Sequence, residues 1–150
     1  MLTVEHNIAI NRPVEQAWNF LTDFKNTPKW DLGVHETRKT SAGPTGLGMT
    51  FQNIGPFLGR ESVREYEVTE YEPNKKVTVK LITPVKYIRQ AEVSYTFEPT
   101  QSGTILISTG GIEFSGFFKL LQPILLKRAK KSGQGDLANL KRIIEAQPNT

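Results

Sequence analysis

In Arg89-Gln90-Ala91-Glu92-Val93-Ser94-Tyr95-Thr96-Phe97-Glu98 polar and apolar side chains alternate without a break from Gln90 onward. Successive side chains on a strand point to opposite faces, so Ala91, Val93, Tyr95 and Phe97 share one side. Gln90, Glu92, Ser94, Thr96 and Glu98 take the other. Such a strand belongs to an antiparallel sheet with one face on a core and one in water. Upstream, Val77, Val79 and Leu81 repeat the pattern. Glu72-Pro73-Asn74 and Gln101-Ser102-Gly103 are turn signals on either side.

Further out, Gly43-Pro44-Thr45-Gly46 and Gly55-Pro56 mark two more turns. The strands between these signals are predicted over 35–41, 49–54, 58–71, 76–83, 89–98 and 104–114. Val63 and Tyr71 have one parity and Val68 the other, which predicts a bulge in the strand over 58–71. Leu2 to Ile10 reads as a first strand, closed by Asn11-Arg12-Pro13, with Asn11 a good helix cap. Val14, Ala17, Trp18 and Leu21 then recur at helical spacing, and a second short helix is predicted over 26–30. The chain ends in a helical pattern over 115–146. Its late apolar stripe is rotated from its early one, and Gly133 and Gly135 lie between them. A bend or irregular turn is therefore expected near 132–135.

Seven strands segregated from one long terminal helix make an α+β fold, predicted as a single domain over 1–150. A curved sheet gripping one helix leaves an internal cavity, where small molecules tend to bind. The chain has no cysteine, so disulfides and thiolate chemistry are excluded. Its opening residues lack the basic start and apolar stretch of a secretory signal, which makes the cytoplasm the default location. No run approaches the roughly 20 apolar residues of a membrane span. The net charge of +4 is modest, and its one concentration is Lys127-Arg128-Ala129-Lys130-Lys131. That tract is short and has no stacking aromatics beside it, so no nucleic-acid partner is expected.

Several segments carry a resemblance. Pro13-Val14-Glu15-Gln16-Ala17-Trp18-Asn19-Phe20-Leu21-Thr22-Asp23 followed by Trp30 is similar to the opening of START-related helix-grip proteins (the SRPBCC superfamily). Gly46-Leu47-Gly48, Tyr71-Glu72-Pro73, Tyr95-Thr96-Phe97-Glu98-Pro99 and Gly103-Thr104 fit the same pattern. Within that superfamily the chain most resembles the bacterial polyketide cyclase/dehydrase and lipid-transport group. The resemblance spans essentially the whole chain and implies the helix-grip fold. These motifs mark helix starts and turns, not reacting groups, so they do not choose among carriers, cyclases and receptors.

Catalytic signatures are missing: there is no phosphate loop, dinucleotide fingerprint or nucleophile elbow. His6 and His35 stand alone, so no metal site is expected, and no cofactor is called for. The candidate ligand-binding residues are Trp30, Phe51, Arg60, Tyr95, Phe97, Glu113, Phe117 and Leu121. Trp30 is expected at the cavity mouth, and Tyr95 on the core face as a hydrogen-bond donor. Glu113 would be an acid or base only if buried. Phe117, Phe118 and Leu121 are expected to face the sheet. Arg60, Arg64 and Tyr66 share one face of their strand, and Arg64 is expected to point outward.

Three functions remain open. The first is binding of a small hydrophobic or aromatic molecule, lipid-like or polyketide-like. The second is a cyclase or dehydratase using acid/base groups of the same cavity. The third is a membrane- or protein-contacting module built on Phe117 to Lys131. An exposed sheet edge would also allow a homodimer.

Overall fold

The alternating strands pair into one antiparallel sheet in the order β1-β7-β6-β5-β4-β3-β2 in the computed structural model, which describes residues 1–57 and 59–149. The strands are β1 Leu2–Ile10, β2 Glu36–Lys39, β3 Thr50–Phe57, β4 Arg60–Glu72, β5 Lys76–Leu81, β6 Ile88–Pro99 and β7 Thr104–Phe114. The strand expected from Leu58 begins on a residue outside the described ones, and β4 is described from Arg60. Register shifts between Val68 and Glu70 against β5. That is the expected bulge. It keeps Arg64, Tyr66 and Val68 on the inner face and then turns Tyr71 to the same side, where its ring meets Trp18.

Helix α1 (Val14–Thr22) and the short α2 (Thr27–Trp30) follow β1, joined by a 3-10 turn over Phe24–Asn26. The N-cap of α1 is Pro13, not Asn11, and its carbonyl accepts the amides of Gln16 and Ala17. Pro has no N–H to lose and its φ of −58° suits a helix entry. After one turn, α3 (Phe117–Leu120), the helix α4 runs over Gln122–Ala146. No irregular turn occurs at 132–135. The interruption lies instead at Leu121, two residues before Pro123 in the first turn of α4, where a missing N–H does no harm.

The two halves of α4 do different work. Leu137, Leu140 and Ile144 are buried against Ile10, Trp18, Leu21, Val77, Phe97 and Leu106. The far end is tied down by Arg12, which donates to the carbonyls of Glu145 and Gln147, covering acceptors that a helix C-terminus leaves free. The near half carries Leu125, Leu126 and Ala129 across the inner face of the sheet without filling the space beneath.

Glycines 133 and 135 explain part of the spacing. A Cβ on Gly133 would lie 2.7 Å from Nε2 of His6, whereas one on Gly135 would meet nothing within 4 Å. Gly135→Ala should therefore gain about 1 kcal/mol of helix propensity. Gly133→Ala should gain less or lose, and adding His6→Ala should release the difference. Thermal melts of the three variants would check this.

Candidate functional site

Small residues hollow the sheet opposite the near half of α4. Across β6, β7 and β1 the paired rows are Tyr95–Ser108–His6 and Val93–Gly110–Val4. Gly110 contributes no side chain and Ser108 a short one, so the floor drops away from the helix. The result is a cavity of about 540 Å³. That lies within the ~300–1,000 Å³ range of small-molecule sites. Phe57, Tyr66, Leu81, Val93, Ile112 and Phe114 supply most of its apolar wall, and Leu125 and Leu126 roof it.

One end is polar. Asp31 follows α2 and Asp136 projects from α4, and their carboxyl groups lie close enough for each to act on the other's proton. Oδ1 of Asp31 accepts the Gly33 amide at 2.9 Å, and Oδ1 of Asp136 accepts the Leu32 amide at 3.3 Å. Burial pushes the Asp136 carboxyl up to about 6, and the neighbouring Asp31 charge pushes the same way. Asp31 is raised as well, chiefly by burial, against the Gly33 amide and the Arg64 charge. The pair thus holds a proton well above the ordinary carboxylate range.

Behind this end stands Arg64, only 7% exposed. Its guanidinium lies 4.6 Å over the Phe57 ring, and Nη1 donates to the Tyr66 hydroxyl at 3.4 Å. Its Nε and Nη2 are buried without a partner among the described residues. Trp30, 5% exposed, meets Tyr95 edge-on at 6.3 Å, and its buried Nε1 likewise has no acceptor. Burial raises the pKa of both Tyr66 and Tyr95, so each phenol stays neutral and able to donate.

Of the candidate residues, the structure brings Trp30 and Tyr95 together in this cavity, with Trp30 inside the wall and not at a rim. Phe51 is sandwiched between Phe24 and Tyr66, and Phe97 packs on Trp18. Both belong to the core. Arg60 is exposed at the end of the β3–β4 pairing. Glu113 lies on the outer edge, bonded to Gln90 and Arg89, which hold its carboxyl below the ordinary range. It has no proton to offer near neutrality. Phe117 is 58% exposed and Leu121 half-buried, because the single turn of α3 points only Phe118 at the sheet, against Tyr87 and Phe114. Arg64 points inward, contrary to expectation.

The fold and this cavity can be compared with known proteins. Residues 1–145 match the family model described as polyketide cyclase / dehydrase and lipid transport. The chain belongs to that family. No curated protein matches it. Among solved structures, a Mesorhizobium loti protein aligns with TM-score 0.76 at 20% identity, covering 98% of this chain and 99% of that one. The two-domain aromatase/cyclase StfQ of the steffimycin biosynthetic pathway aligns with TM-score 0.79 at 16% identity, over 96% of this chain and 50% of that one. The Zhui aromatase/cyclase of Streptomyces sp. R1128 gives TM-score 0.77 at 11% identity, over 96% and 93%. At such identities these likenesses establish the helix-grip fold of this polyketide cyclase / dehydrase and lipid transport family member, and no more.

The carboxyl pair has a signature in stability. A folded-state pKa of about 6 against an ordinary 3.8 means that the folded chain binds the extra proton between those values. The pair's contribution is fully present below about 3.8 and is lost as pH rises through about 6. Asp136→Asn keeps an oxygen for the Leu32 amide but removes the titration. It should melt higher than the parent at neutral pH and show a flatter profile across that window. Equal profiles for parent and variant would contradict the shared proton.

Proposed function

We propose that the cavity binds a small, largely apolar molecule, lipid-like or aromatic and polyketide-like, with an oxygen-bearing end beside Trp30, Tyr95 and the carboxyl pair. The observation that carries this reading is the buried, unpartnered Nε1 of Trp30 in the wall of an otherwise apolar cavity. An orphaned buried donor costs about 1–3 kcal/mol, which an acceptor on a ligand would recover. Family membership supports a ligand-binding or cyclase role. The same proposal puts the chain in the cytoplasm, with no nucleic-acid partner. Among the described residues no helix is long and apolar enough to cross a membrane. The β2 edge, a short, charged Glu36-Thr37-Arg38-Lys39, disfavours a homodimer through that edge.

Native mass spectrometry of protein purified from its own cells, with extraction of anything retained, tests the proposal. A bound apolar molecule is the expected result. An empty protein that also ignores a panel of lipids and aromatic polyketides would remove it.

The second reading is an enzyme, and the carboxyl pair favours it. A carboxyl that titrates at about 6 in the wall of the cavity is suited to give and take protons near neutrality. Asp136→Asn would then leave binding of the extracted molecule in place and abolish its conversion. A carrier would show no conversion in either protein.

A further inference from the structure

The near end of the last helix shows apolar side chains to solvent that the sheet does not use. Phe117, Leu120 and Ile124 are 58%, 78% and 61% exposed. They recur three and four residues apart, Phe117 and Leu120 on α3 and Ile124 in the first turn of α4, just past the interruption at Leu121. The same side of α4 continues with Lys127, Arg128 and Lys131, all exposed, with Arg128 also bordering the cavity. Single exposed apolar residues are ordinary, but three within eight residues beside a cationic run are not.

Charge identifies the partner. Every charged residue between Phe114 and Gly135 is basic: Lys119, Lys127, Arg128, Lys130 and Lys131. Among the described residues none of them sits in an ion pair. A second copy of the chain would set these like charges against one another across a symmetric contact. Nucleic acid would leave the apolar residues without a use. An anionic bilayer satisfies both, with Phe117, Leu120 and Ile124 at the acyl boundary and the cations among the headgroups.

We propose that this outward face of α3 and α4 docks the protein on anionic membranes. Leu125, Leu126 and Ala129 of the same helix segment wall the cavity, so docking would place the cavity roof directly over the lipid surface. The proposal goes beyond ligand binding and does not depend on it, because its test uses no cavity ligand.

The test is co-sedimentation at low salt with vesicles of phosphatidylcholine alone, or with about a third phosphatidylglycerol. The intact chain should pellet with the anionic vesicles, release with added salt, and stay in solution with phosphatidylcholine. Neutralising Lys127, Arg128 and Lys131 to Gln should lower partitioning roughly a hundredfold. Leu120→Ser with Ile124→Ser should lower it about tenfold with every charge retained. These side chains are exposed, so melting temperatures should not move, and circular dichroism verifies that. Failure of the parent to bind anionic vesicles would overturn the proposal, as would equal binding by the Gln variant. A concentration-dependent dimer dissolved by the Ser variant would assign the face to a second copy instead.

Discussion

Trp18→Ala should cost about 3–5 kcal/mol, the range for removing a large aromatic from a packed core. Total stabilities run to about 5–15 kcal/mol, so the variant should sit near the edge of folding. The indole is 4% exposed and meets Tyr71 and Phe97 edge-on at 5.3 and 5.2 Å. Those partners come from β4 and β6, while Trp18 itself comes from α1. One deletion therefore unfastens the helix that holds the far half of α4 against the sheet. Phe117→Ala, on an exposed ring, should stay within about 0.5 kcal/mol of the parent. Urea midpoints of the two variants decide the matter. If they moved equally, Trp18 would not be the keystone that its contacts make it.

That contrast shows what was legible in the sequence. Trp18 shares a helical face with Val14, Ala17 and Leu21, and Tyr95 alternates with Ala91, Val93 and Phe97, so periodicity alone puts both inside. Phe117 is as apolar as either, and periodicity failed there. The early stripe of the last helix contains two sets of apolar residues, one for the sheet and one for solvent. Read as a single stripe, they appear rotated against Leu137, Leu140 and Ile144, and a bend near Gly133 seems to follow. The structure removes the discrepancy by leaving Phe117, Leu120 and Ile124 outside, and Gly133 answers to His6 instead.

The polar end of the cavity was less legible because its members lie far apart in sequence. Asp31, Arg64 and Asp136 come from a loop, a strand and a helix, and only closure of the helix on the sheet brings them together. Two signals existed. Asp136 sits among Gly133, Leu137 and Leu140 at helical spacing, an acid on a stripe that should be apolar. Arg64 shares its parity with Tyr66 and Val68, and Val68 is 1% exposed. A strand facing is set for every residue up to a bulge, so Val68 was the better guide to Arg64 than the charge of Arg64 itself.

Gly110→Leu should abolish ligand binding while leaving the fold as stable as before or more so. A Cβ at this position would find only the Val4 carbonyl oxygen, at 3.9 Å, so the added side chain enters open space. That space is the cavity, since Gly110 pairs with Val93 and Val4 in its floor. Glycine within a strand is entropically unfavourable, and replacing it where the backbone is compatible restricts the unfolded chain. Retaining it here costs stability and preserves volume, which is the opposite of what a core position does. With the environment-sensitive dye anilinonaphthalene sulfonate as probe, the parent should show saturable binding, and the variant at least a hundredfold less. A thermal melt of the same samples would show whether the midpoint is held or raised. Loss of binding together with a retained midpoint would locate the ligand between β7 and α4. Undiminished binding in a folded variant would put the ligand somewhere else, and the volume left by Gly110 would then have no part in recognition.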